Sequence, residues 1–252
     1  MRKSIDLNAD LGEDDTPAGI ARDVAMMDIV SSCNIACGGH AGSPELAARM
    51  LDAAARHHVS AGAHPSYPDR ENFGRVSTKI APEHLADSLH EQVQVLVDAA
   101  RQTATTVTHI KPHGALYNDA QDNEILSRIL ARLAGEFGLP LVGMAPSVIQ
   151  NLANDQGIGF VAEAFVDRRY DDRARLVSRA EPGAVIADQN QRLAQGLALA
   201  QERPIKTANG LEMQIPADTL CLHSDSDGAL ETARSMRDEL ARNGIEIVAH
   251  TP

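Results

Sequence analysis

Asp10 and Glu13, His40, His64, Lys111 and His113, Glu163 and Asp167, and His223 and Asp225 share one position. Each follows directly on a short apolar run: SIDLNADLGE, NIACGGH, VSAGAH, VTHIKPH, GFVAEAFVDR and TLCLHSD. A seventh run, LVGMAPS, ends on Ser147. These residue types do proton and anion chemistry. Histidine titrates near neutrality and suits general acid and base work. A lysine at a pocket mouth can hold a carboxylate or phosphate, or move protons if its pKa is lowered. Paired carboxylates such as Asp10 and Glu13 can orient a histidine, divide acid and base roles, or bind a divalent metal. Asp10, His40 and His64 have the ligand types of a metal site of two histidines and one aspartate. No HExxH-like spacing enforces that site, so catalysis with and without a metal both stay open.

Two segments concentrate the signal. HIKPHGALYND (109–119) places Lys111 and His113 at a strand mouth, with Pro112 fixing the bend and Gly114 permitting close backbone approach. His109 falls inside the strand and reads as a hydrogen-bonded core histidine. AHPSYPDRENFGR (63–75) gathers His64, Asp69, Arg70, Glu71 and Arg75 in a loop stiffened by two prolines and a glycine. Arg70 is taken from it as a substrate-binding candidate, together with Asp167, His223 and Asp225. Asp10, Glu13, His40, His64, Lys111 and His113 form the catalytic candidates. Ser147 reads as a helix cap, and Cys37 as a buried strand thiol. The glycine run 38–42 precedes a helix whose amides could cradle an anion, but it matches neither GxxxxGK[ST] nor GxGxxG.

Residues so far apart in sequence meet only if the chain brings the ends of its strands together. Strand-like runs at 4–9, 33–37, 59–63, 106–111, 140–144, 158–164 and 219–223 alternate with helical patterns at 19–31, 43–57, from Pro82 for about 20 residues, 123–136, 147–156, 188–202 and 227–242. That alternation predicts βαβ units closing into a TIM-like (β/α) barrel, whose strand C-termini share one face and whose loops carry the chemistry. The polar stretch 167–187 breaks the rhythm and is expected to be an active-site loop or lid. Asn209-Gly210 predicts a small hairpin over 204–216, and IEIVAH a last strand-like segment. A single domain over 1–252 is expected.

Composition sets outer bounds. A net charge of −12 argues against nucleic acid, whose binding draws on lysines and arginines neutralising phosphates. Three cysteines without CxxC spacing argue against a disulfide framework or thiolate zinc site, and fit a cytoplasmic protein. Asp6 and Asp10 interrupt any leader-like apolar stretch, and no run approaches a membrane span. The expectation is a soluble enzyme acting on a small molecule, with no membrane partner.

IDLNADLGE (5–13), SCNIACGGHAG (32–42), AGAHPSYPDRENFGR (61–75), HIKPHGALYN (109–118), EAFVDRRY (163–170), LVSR (176–179) and LCLHSD (220–225) closely resemble, in order, the blocks of the LamB/YcsF family, the A subunits of bacterial 5-oxoprolinase. The resemblance implies a seven-stranded (β/α) barrel related to the glycoside hydrolase/deacetylase group. It also implies ATP-dependent cleavage of 5-oxo-L-proline to L-glutamate with subunits B and C, with magnesium accompanying the ATP. Four positions depart from the family: Gly39, where an aromatic is usual, Ser43, Arg169 and Ser224. The alternative reading is a metal-dependent amide hydrolase or deacetylase that does not use ATP.

Overall fold

The structure is a computed structural model that describes residues 2–103, 105–223 and 228–250, with His223 described only as a strand position. Seven parallel strands form the barrel: β1 (Ser4–Leu11), β2 (Ser32–Ala36), β3 (Ser60–His64), β4 (Val107–Ile110), β5 (Leu141–Gly143), β6 (Phe160–Phe165) and, late in the chain, β9 (Thr219–His223). Neighbours pair in that order, and β1 closes the ring by pairing with both β2 and β9. The helices are α1 (Pro17–Met27), α2 (Pro44–His57), α3 (Pro82–Gln102), α4 (Gly114–Ala120), α5 (Glu124–Phe137), α6 (Val148–Asp155), α7 (Gln189–Ala200) and α8 (Ala229–Arg242). A two-stranded hairpin, β7 (Ile205–Lys206) with β8 (Glu212–Met213), precedes β9, and β10 (Glu246–Ile247) adds in parallel to Ser4 and Ile5 of β1.

Local chemistry explains the helix starts. Ser43 and Ser147 accept hydrogen bonds from Leu46 N and Gln150 N, and Asn123 and Asp188 cap α5 and α7 in the same way. Prolines open α1, α2 and α3, where a missing N–H costs nothing. Along β1, Leu7, Ala9 and Leu11 alternate with Asp6, Asn8 and Asp10, and two-residue periodicity sends the two sets to opposite faces. The apolar set joins Met50, Leu89 and Leu96 in the continuous core between sheet and helices. The polar set runs up the barrel interior, where bulky aliphatic layers are the usual filling. At its lower end, Asp6 accepts hydrogen bonds from Ser31, Ser32 and Thr219.

Several boundaries differ from expectation. The first helix stops at Met27 instead of 31, because Ser31 exchanges hydrogen bonds with Leu7 of β1 and so belongs to the strand entry. GALYNDA, expected as loop, is the short helix α4. The hairpin forms, but Lys206 faces Glu212, so Asn209-Gly210 sits in a five-residue loop and not in a two-residue turn. Segment 167–187 is tied down by backbone bonds between Arg169 and Ala184, Val177 and Arg169, and Ile186 and Asp167, with the Tyr170 side chain buried beneath it. No described helix is long and apolar enough to cross a membrane.

Candidate active site

The strands bring Lys111 to the centre of the barrel mouth. Its side chain is 2% exposed, and its Nζ lies 2.8 Å from both Asp10 Oδ1 and Glu163 Oε1. It also donates to Asn8 Oδ1 at 3.3 Å and to Cys221 Sγ at 3.2 Å. Burial pushes the ammonium down, but the neighbouring carboxylates outweigh it and hold the pKa well above the usual lysine range. Of the two roles open to this lysine, proton transfer through a lowered pKa is therefore not the one the structure builds. Asn34 fixes the same cluster, donating to Asn8 Oδ1 and Asp10 Oδ1, while His109 contacts Asn34 Oδ1 at 2.8 Å as a core histidine.

Above this cluster lie three imidazoles. His64 donates through Nδ1 to the Lys111 carbonyl at 2.8 Å, and His113 donates through Nε2 to the Phe73 carbonyl at 3.0 Å. Each neutral ring therefore presents a bare nitrogen on its other side. Those two nitrogens, His64 Nε2 and His113 Nδ1, face each other at 3.0 Å. Asp10 Oδ2 is 3.4 Å from His64 Nε2, and Glu13 Oε1 is 3.3 Å from His113 Nδ1. His40 stacks on His113 with centroids 3.6 Å apart and donates through Nε2 to Glu13 Oε1 at 3.1 Å. Burial, followed by the charge of His64, pushes His40 down to about 2, and burial also holds His113 well below the usual histidine range. Both rings are thus neutral at physiological pH.

The backbone makes this convergence possible at Gly114. Its φ is +59°, and an added Cβ would lie 2.5 Å from the Gly74 carbonyl oxygen, so the close approach read from the sequence is an approach of backbone to backbone. The absent side chain at Gly39 has its space filled by Gln92, which hydrogen-bonds both the amide and the carbonyl of Ser66.

These groups floor a cavity of about 400 Å³. Asp10, Glu13, His64, Lys111 and His113 line one side, and Arg168, Leu176, Ser178 and Arg179 from the 167–187 segment line the other. Five of the six catalytic candidates therefore border one cavity, and His40 stands behind them. The substrate-binding candidates fare differently. Arg70 is exposed and its Nη1 clamps the carbonyls of Gly38 and Gly42, bracing the loop that carries His40 and lying apart from the cavity. That loop also closes on itself through Gly38 N to Ala41 O. Asp167 is buried beside Arg168 and outside the lining, while the side chain of His223 and all of Asp225 lie outside the described residues. Cys37 is a buried thiol, pushed up to about 12 by burial.

Sequence reading did not select Asn34, Tyr117, Phe165 or Arg179, nor did it carry Glu163 into its working set. Glu163 had a signal: an acidic residue in the middle of an apolar barrel strand needs a buried cation. Asn34, between Cys33 and Ile35, had the same one.

A parallel barrel with its acidic and imidazole side chains at the C-terminal mouth defines an enzyme-like α/β barrel. The chain matches the LamB/YcsF family over residues 5–252, and it belongs to that family. It is 43% identical over 237 residues to a 5-oxoprolinase A subunit of Pseudomonas syringae pv. tomato, covering 93% of each chain. The crystal structure of a lactam utilization protein from Thermus thermophilus superposes with a TM-score of 0.90 at 34% identity, over 98% of this chain and 100% of that one. A family 4 carbohydrate esterase from Streptomyces lividans shares the fold, with a TM-score of 0.53 at 11% identity over 99% of this chain and 94% of that one.

Proposed function

We propose that this chain is the A subunit of an ATP-dependent 5-oxoprolinase, cleaving 5-oxo-L-proline to L-glutamate together with subunits B and C. The observation that carries this reading is the cavity itself: a small chamber with basic side chains on its walls and neutral imidazoles on its floor, in a chain whose relatives are named for that reaction. A five-membered lactam is unstrained, so opening it requires activation. Phosphorylation of the amide oxygen by ATP makes the ring carbonyl carbon electrophilic. Water then adds, phosphate leaves, and the carbon–nitrogen bond breaks as the nitrogen takes up a proton.

In this scheme the basic walls, with Arg179 at the rim, hold the substrate carboxylate. His64 and His113 exchange protons with the attacking water and the leaving nitrogen. Asp10 orients His64, and Lys111 keeps Asp10 ionised. Segment 167–187 covers the substrate. ATP and its magnesium are handled by the assembled complex, since the glycine loop of this chain has no phosphate-binding signature. The test is release of ADP and glutamate from 5-oxoproline and ATP by the chain with subunits B and C. Inactivity of that complete mixture overturns the reading.

The convergence of histidine and carboxylate donors favours a second reading, a metal-dependent amide hydrolase. Omitting ATP separates the two, because only this second enzyme keeps turning over.

A further inference from the structure

We infer that Glu13, His64 and His113 form a binding site for one divalent transition-metal ion of the zinc class, with His40 as the residue that positions Glu13. The argument starts from hydrogen-bond roles. Backbone carbonyls fix the outer N–H of both His64 and His113, which turns the two remaining lone pairs toward each other at 3.0 Å. Two acceptors facing at that distance repel unless a positive centre lies between them. Carbonyl-anchored imidazoles are also the arrangement in which metal-ligating histidines are held.

The spacing fits an ion. With metal–nitrogen bonds of 2.0–2.1 Å, donor atoms around a tetrahedral centre lie about 3.3 Å apart. Here His113 Nδ1 stands 3.0 Å from His64 Nε2 and 3.3 Å from Glu13 Oε1. The donor atoms of Glu13, His40, His64 and His113 all lie within 4.8 Å of one another. His40 is not a ligand of the same kind. Its ring is parallel to His113 within 3°, so one ion cannot lie in both ring planes, and its Nε2–H is spent on Glu13 Oε1. His64 and His113 cross at 88°, which leaves an ion free to sit near both planes.

Two imidazoles and one carboxylate suit zinc, cobalt or manganese over calcium or magnesium, which take oxygen ligands. Glu13, His64 and His113 all border the cavity, so an ion there would act as a Lewis acid on a substrate carbonyl. This set replaces the trio of Asp10, His40 and His64 read from the sequence, because Asp10 Oδ1 is engaged by Lys111 and Asn34.

The experiment uses the full chain alone, without lactam, nucleotide or partner subunits, so its outcome is independent of the 5-oxoprolinase reading. Metal-stripped protein is titrated with zinc by calorimetry and with cobalt(II) by visible absorption. The expected result is about one ion per chain, with cobalt d–d bands that disappear in Glu13→Gln and in His113→Asn. His40→Ala weakens binding by about 10-fold or more, as loss of an orienting partner does. Circular dichroism identifies the variants that remain folded. Binding that persists unchanged in folded Glu13→Gln and His113→Asn overturns the inference, and so does wild-type protein that takes up no more zinc than a folded His64→Ala/His113→Ala double variant.

Discussion

Lys111 Nζ and Glu163 Oε1 meet at 2.8 Å in a position where neither side chain is more than 2% exposed. Such a pair stabilises little by itself, because desolvating both charges offsets their attraction. Its consequence is asymmetric: removing one partner strands the other. Lys111→Met leaves Glu163 and Asp10 buried without their cation and is expected to cost about 3–5 kcal/mol of stability. Adding Glu163→Gln recovers part of that loss. Urea unfolding of the two single variants and the double variant reads the coupling, and strictly additive effects would refute it.

The rim arginine tests substrate binding apart from chemistry. Arg179 borders the cavity from the polar segment opposite the imidazoles, exposed and able to reach an anion. Arg179→Ala in the assembled complex should raise KM for 5-oxoproline by about 10-fold, the loss of one hydrogen bond to a charged group, with little change in kcat. A fall in kcat at constant KM would move Arg179 out of ground-state binding.

Gly114 is where backbone geometry and site geometry coincide. Gly114→Ala forces a side chain into a positive-φ position and against the Gly74 oxygen, so it should destabilise the fold by about 1–3 kcal/mol and displace the adjacent His113. Thermal unfolding and steady-state rates measure the two effects. A variant with wild-type stability and rate would show that the loop from Gly74 has room to move.

The strand-end rule placed Asp10, His64, Lys111 and His113 together because parallel strands leave no other place for their C-terminal residues. Proline and serine caps likewise announced α2, α3 and α6. Arg70 lay beyond that logic: charge and loop stiffness are the same for an arginine that binds substrate and one that clamps two carbonyls. Glu163 and Asn34 were hidden for the opposite reason, since periodicity identifies the inward face of a strand but not which inward groups pair across the barrel. The facing nitrogens of His64 and His113 depend on two backbone carbonyls, and a sequence carries no record of where carbonyls point.

Asp23 of α1 gives the fold a pH dependence separate from the site. It is buried, with Oδ2 accepting from Gly12 N at 2.8 Å, and Arg22 Nε stands 3.7 Å from Oδ1. Burial raises its pKa from 3.8 to about 6, and the Gly12 hydrogen bond opposes the rise without cancelling it. Between those values the folded state binds more protons than the unfolded state, so stability falls as pH rises through this window. Once ionised, the carboxylate costs the folded state about 3 kcal/mol relative to its protonated form. Asp23→Asn keeps a carbonyl oxygen for Gly12 N and removes the charge. It should therefore be more stable than the wild type at pH 8, by up to that amount, with the advantage shrinking as pH falls through 6 toward 4. Urea midpoints across that range decide it: a stability difference constant with pH would mean that Asp23 titrates as an ordinary carboxyl.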